Sequence, residues 1–162
     1  MTIAIGDKLP AATFKILSDK GPADLGAADL LGKGRVALFA VPGAFTPTCH
    51  KTHMPSFVGS AAALKAKGVD KIVCVSVNDP FVLAAWGEAT GATKAGITIV
   101  ADPTAAFTKA VGLDFDASGA GLGIRSKRYS MLIENGEVKA LNIEEKPSDA
   151  VCSTGEALLD QI

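Results

Sequence analysis

Apolar and polar positions divide the chain into short elements. Residues 36–41 are a continuous apolar run of six, and 72–77 are apolar except for Ser76; both predict strands buried on both faces. Residues 97–101 predict a third, ended by Asp102-Pro103 as the second is ended by Asn78-Asp79-Pro80. Ahead of them, Gly6, Pro10, Gly21, Pro22, Gly26, Gly32 and Gly34 punctuate residues 1–34. That stretch reads as irregular apart from a short strand at 13–17. Thr46-Pro47 is a helix-start signal, a hydroxyl cap followed by proline in the first helical position. Pro55 should perturb or kink that helix. Residues 57–67 read as helix up to Gly68, and 81–88 as helix with Trp86 in its apolar face. A short helix is predicted at 104–111 before Gly112. Gly119, Gly121 and Gly123 mark a loop. Residues 129–133 and 138–143 flank Asn135-Gly136, a strong hairpin signal. A last amphipathic helix runs from about 153 to the end, with Leu158, Leu159 and Ile162 on one side. Asp79 and Asp102, each before a proline, read as turn residues.

Strand–helix alternation and then a hairpin predict a parallel centre with antiparallel strands added. The expected class is α/β, a thioredoxin-like fold with a mixed central sheet and helices on both faces. No linker or repeat divides the chain, so residues 1–162 are read as one domain. The net charge of -1 argues against a dedicated nucleic-acid binder and gives no pull toward an anionic membrane. No apolar run reaches membrane-spanning length. Three cysteines, Cys49, Cys74 and Cys152, are too few and too odd for a secreted disulfide framework. They point to a reducing, cytoplasmic setting with one or two reactive thiols.

The segment Val41-Pro42-Gly43-Ala44-Phe45-Thr46-Pro47-Thr48-Cys49 sets a cysteine in the first turn of a helix directly after a buried strand. Unpaired N–H groups and the positive end of the helix dipole favour thiolate there, and thiolate is the nucleophile. The alternative is a structural cysteine packed as a small hydrophobe. Polar neighbours Thr48, His50 and Lys51 weaken it. There is no C-x-x-C pair, so a lone helix-start thiolate suits attack on an external electrophile.

Pro42, Thr46 four residues on and Cys49 three further resemble the active-site signature of peroxiredoxins. Ser76-Val77-Asn78-Asp79-Pro80-Phe81, Ala85-Trp86-Gly87 and Lys127-Arg128-Tyr129-Ser130-Met131 resemble the type II, or peroxiredoxin-5-like, branch. The resemblance extends from near Ile5 to the C-terminus. It implies a thiol-dependent peroxidase without a bound cofactor, acting on hydrogen peroxide and alkyl hydroperoxides. Cys49 would be the peroxidatic cysteine. Thr46 would hydrogen-bond the peroxide, Arg128 would stabilise the thiolate and the polarised peroxide, and Pro42 would shield the pocket. Read without the resemblance, Thr46 is a simple cap, and Arg128 is one charge of a solvated loop with Arg125 and Lys127.

A sulfenic acid at Cys49 condenses with a second thiol. Cys152, in a loop before the last helix, resembles the resolving cysteine of one group in this branch. Cys74 lies in an apolar strand and also reads as an inert core thiol. Either pairing would require unwinding of the first helical turn, since a disulfide needs α-carbons within about 7 Å. Other members of the branch are recycled by glutathione with glutaredoxin, or by thioredoxin. The resemblance further implies a homodimer. His53, four residues after Cys49, shares its helix face, while His50 points elsewhere. Too few ligands cluster there for a zinc site, and His53 reads as a hydrogen-bonding neighbour of the pocket. Phe45, Trp86 and Phe115 read either as an apolar rim or as packing. Two other functions use the same scaffold: a non-enzymatic thiol sensor or relay, and a binding module indifferent to Cys49.

Overall fold

The computed structural model describes residues Met1–Ile162. A seven-stranded mixed sheet runs in the order β2-β1-β5-β4-β3-β8-β9, with β1 (Thr13–Ser18) and β2 (Gly21–Gly26) forming one edge. Its centre is β3 (Arg35–Val41), β4 (Lys71–Ser76) and β5 (Ile97–Ala101), paired in parallel. β8 (Tyr129–Glu134) lies antiparallel on β3, and β9 (Glu137–Ile143) on β8. The predicted hairpin turn joins these last two, with Asn135 and Gly136 both at positive φ, 49° and 80°. Two central turn residues in that region make a type I′ turn, whose twist matches that of the strands.

The continuous apolar runs are explained by the two layers they serve. Val36, Leu38 and Ala40 of β3 face one cluster of 18 buried residues, and Ala37, Phe39 and Val41 face another of 18. An even split means that neither face of the sheet meets water, so no polar alternation can appear. On the first face pack α1 (Ala27–Leu31) and α4 (Ala106–Ala110), through Leu30, Leu31 and Phe107. On the second pack α2 (Met54–Ala66), α3 (Pro80–Thr90) and α5 (Gly155–Asp160), through Phe57, Leu64, Leu83, Trp86 and Leu158. No helix is long and apolar enough to cross a membrane.

Several expectations are corrected. Residues 1–34 are not irregular beyond one strand: β1 (Thr13–Ser18) forms a full hairpin with β2 (Gly21–Gly26), and α1 comes next. β2 is an edge strand, where Pro22 loses no ladder bond that the fold needs. The glycine loop carries a single 3₁₀ turn, Ser118–Ala120, inside a small hairpin of β6 (Asp114–Asp116) and β7 (Ile124–Ser126). Asp79 is the N-cap of α3, while Asp102 opens the turn before α4, as expected, and its side chain also reaches the first turn of that helix. Asp79 accepts from the Val82 N–H at 2.9 Å. Asp102 is buried and accepts from the N–H groups of Phe107 and Thr108 and from the Thr108 hydroxyl, at 3.1, 2.8 and 2.8 Å. The last helix begins at Gly155, two residues after the expected start, with Thr154 at its cap.

Candidate active site

β3 delivers the chain to the site at its C-terminal end. After Val41 the loop Pro42–Phe45 turns back, with Phe45 held at φ 63°. Asn78 accepts from the Ala44 N–H at 3.0 Å, and Arg125 donates to the Pro42 carbonyl at 3.0 Å. Gly43 leaves room for that arginine, since a Cβ there would come within 2.5 Å of its Nη1. Arg125 is therefore a half-buried staple, not a solvated charge.

The helix starts at Pro47 as predicted, but the Thr46 hydroxyl does not cap it. That hydroxyl donates to the Gly43 carbonyl at 2.6 Å, and the Thr46 carbonyl receives the His50 N–H. The chain then widens into a π turn, Cys49–His53, where the Met54 N–H reaches back five residues to the Cys49 carbonyl. Pro55 comes at once, in the first turn of α2. Proline has no N–H to continue an α-helical ladder, and the wider turn absorbs that loss without breaking the helix.

Cys49 and His53 are both fully buried and both reach Arg128. Arg128 Nη2 donates to Cys49 Sγ at 3.2 Å and to the Pro147 carbonyl at 3.0 Å. Its Nε reaches the same carbonyl at 3.3 Å, and Nη1 lies 3.0 Å from His53 Nδ1. Arg128 is 2% exposed, far from the surface charge that its basic neighbours suggested. None of the ion pairs in the structure includes it. A buried cation without a counter-ion is costly. The only group at hydrogen-bond distance able to become an anion is the Cys49 sulfur, as thiolate.

His53 completes the array through its other nitrogen. Nε2 lies 2.9 Å from the Ser153 carbonyl, which can only accept, so Nε2 carries the proton. Ser153 is in turn held by Glu144, whose Oε1 receives the Ser153 N–H and hydroxyl at 2.8 Å each and the Val151 N–H at 2.7 Å. Burial raises the Glu144 carboxyl, but these bonds outweigh it and hold the group below the usual carboxylate range. For His53, burial first and the Arg128 charge second push the imidazole from the ordinary 6.5 down to about 3.

These shifts predict an acid-labile fold. A histidine kept neutral in the folded state binds its proton more readily when unfolded. The stability it supports is complete above pH 6.5 and declines as pH falls toward 3. Glu144 adds a loss in the same direction below about pH 4.5. The melting temperature of the wild type should fall steadily from pH 7 to pH 4, and His53→Gln should flatten the upper part of that fall. Equal slopes in the two proteins would show that His53 does not carry it.

The remaining thiols differ sharply. Cys74 on β4 is wholly buried, and burial, with Cys49 adding to it, pushes its thiol well above the ordinary value. Cys152 is exposed and directly precedes Ser153. Desolvation of its sulfur and the nearby Glu144 charge raise its thiol. His50 does point elsewhere: its Nδ1 accepts from the Trp86 indole at 3.0 Å, and its ring stacks on Phe45. Over Arg128 and the Thr46–Thr48 segment that leads into Cys49 lies a largely apolar pocket of about 430 Å³, lined among others by Pro42, Thr46, Phe115, Leu122 and Arg128. Trp86 is core packing, Phe115 lines the pocket, and Phe45 is exposed, stacked on His50 and not part of the pocket lining. Sequence patterns pointed to Cys49, Thr46, Arg128 and Pro42. They did not point to Glu144, Ser153 or the Pro147 carbonyl.

The family model for Redoxin matches residues 4–158. A rice chloroplastic protein, peroxiredoxin-2E-2, is 47% identical over 97% of this chain and 72% of its own. The crystal structure of reduced Prx3 from Vibrio vulnificus in complex with H2O2 superposes with a TM-score of 0.92 at 48% identity, covering 99% of both chains. Peroxiredoxin 5 from Alvinella pompejana gives 0.85 at 31% identity, over 97% of this chain and 96% of that one. A thioredoxin-like sheet carrying this site and these likenesses defines a thiol-dependent peroxidase that works through a peroxidatic cysteine. The chain belongs to the redoxin family, in its type II, peroxiredoxin-5-like branch.

Proposed function

We propose that Cys49 is the peroxidatic cysteine and that Thr46, Arg128 and Pro42 form its reacting site. The observation that carries this is Arg128 Nη2, 3.2 Å from a buried sulfur and without a carboxylate partner. The Cys49 thiolate attacks one oxygen of the hydroperoxide. A sulfur–oxygen bond forms and the oxygen–oxygen bond breaks. Sulfur is oxidised by two electrons to the sulfenic acid, and the leaving oxygen takes a proton as water or alcohol. Negative charge grows on that leaving oxygen, where the arginine supplies a donor, while the Thr46 hydroxyl, donating to the Gly43 carbonyl, offers its oxygen as an acceptor for the peroxide O–H. The apolar pocket supports alkyl hydroperoxides as substrates beside hydrogen peroxide.

A thiol then condenses with the sulfenic acid and releases water. Cys152 is the internal candidate, being exposed, and Cys74 is set aside as buried and held as thiol. Glutathione with glutaredoxin, or thioredoxin, is the external route. Both routes imply a reducing compartment, and we read the cytoplasm. Phe45 and Phe81, 51% and 60% exposed after β3 and β4, support a homodimer through this face. Sedimentation at the mass of one chain would overturn that dimer.

One equivalent of hydroperoxide added to reduced protein should modify Cys49 within the mixing time, as mapped by non-reducing mass spectrometry. A Cys49–Cys152 bond, lost in Cys152→Ser, means internal resolution. A lone sulfenic acid means an external thiol. An unreactive Cys49 in folded protein sinks the assignment.

A further inference from the structure

We infer that His53 is a positioning residue: its bare Nδ1 aims the Arg128 guanidinium at the Cys49 sulfur. This rests on the assignment of Cys49 and Arg128 as reacting groups, and adds the device that holds the arginine in register.

Arg128 is long and flexible, and its head has several donors to place. Three acceptors fix it: the Pro147 carbonyl, Cys49 Sγ and His53 Nδ1. Pro147 is exposed and belongs to the irregular segment after β9. The sulfur changes its chemistry in every turnover. His53 is the constant member, fully buried on the π turn and packed edge-on against the stacked rings of Phe39 and Phe57, with ring centroids at 5.1 and 5.6 Å.

An imidazole serves this purpose only in one tautomer. A proton on Nδ1 would face the Arg128 N–H and turn the guanidinium away. Ser153 prevents that by taking the Nε2 proton, and Glu144 holds Ser153 with two hydrogen bonds. A hydrogen-bonded line thus runs from Glu144 through Ser153, His53 and Arg128 to the reacting sulfur.

Two full-length variants separate aiming from packing. His53→Asn places an amide oxygen near the position of Nδ1 and gives up the Ser153 contact. His53→Gln reaches toward Ser153 and leaves Arg128 without its acceptor. Both should lower the melting temperature. The second-order rate with hydroperoxide, from rapid mixing, should split them: within about threefold of wild type for His53→Asn, and about tenfold or more down for His53→Gln, a fraction of the loss from deleting a whole transition-state donor. Any other pattern, including equal losses that track melting temperature, overturns the inference. Wild-type protein in the same experiment tests the Cys49 assignment separately: if it does not react at Cys49, that assignment fails, whatever the variants do.

Discussion

Arg128→Met should lower the rate of hydroperoxide reduction by about 10²–10³-fold, the range for removing one preorganised donor from a developing oxyanion. Methionine roughly matches the length and apolar stem of arginine, so the fold has a filled site to close on. What disappears is the charge facing the sulfur and the donor facing the leaving oxygen. The Pro147 carbonyl and His53 Nδ1 lose their donor, so stability should also fall, by about 1–3 kcal/mol for buried groups left unpaired. Arg128→Lys distinguishes charge from geometry. One ammonium cannot span the histidine, the carbonyl and the sulfur as a planar fork does, so lysine should restore only a small part of the rate. Stopped-flow kinetics with one hydroperoxide check all three proteins. A methionine variant within threefold of wild type would remove Arg128 from the reacting site.

Cys49→Ser should abolish turnover, leaving only the background reaction of the reductant with peroxide. A serine hydroxyl does not ionise at neutral pH and its oxygen cannot accept another oxygen atom. The second expectation is less obvious: this near-isosteric change should destabilise the protein, because it replaces the sulfur that buried Arg128 faces with a hydroxyl that cannot serve it as a counter-ion. Cys74→Ser, in the core beside it, should leave turnover within about twofold. Denaturation and activity assays on the two variants check the pair. Full activity in Cys49→Ser would end the peroxidatic assignment, and unchanged stability would show that Arg128 does not depend on a thiolate.

The parts of this molecule that were legible in its sequence are those with a local cause. The buried strands announced themselves because a sheet covered on both faces needs unbroken apolar runs. Asn135-Gly136 announced its hairpin because few residues accept positive φ twice in succession. Cys49 was visible from its place after a buried strand and a Thr-Pro helix start. The failures have causes too. The glycines and Pro22 of β2 read as breakers because an edge position cannot be seen before the sheet exists. Without the family signature that singles out Arg128, it and Arg125 look like surface charge, because their partners, the Pro42 and Pro147 carbonyls, are backbone groups that every residue possesses. The contact of His53 with Ser153 spans 100 residues of chain and leaves no local pattern.

The missing carboxylate beside Arg128 has a thermodynamic consequence for the oxidised protein. A sulfur tied into a disulfide carries no charge. Once Cys49 is joined to any resolving thiol, a cation that is 2% exposed has lost its counter-ion. Reduction restores the thiolate and ends that penalty. The arginine therefore stabilises the dithiol form relative to the disulfide and raises the reduction potential of the couple, by about 30 mV for each 1.4 kcal/mol of that preference. On the roles proposed for Cys49 and Arg128, the group that speeds oxidation by peroxide thus also makes the oxidised enzyme a better electron acceptor, and the same charge drives both halves of the cycle.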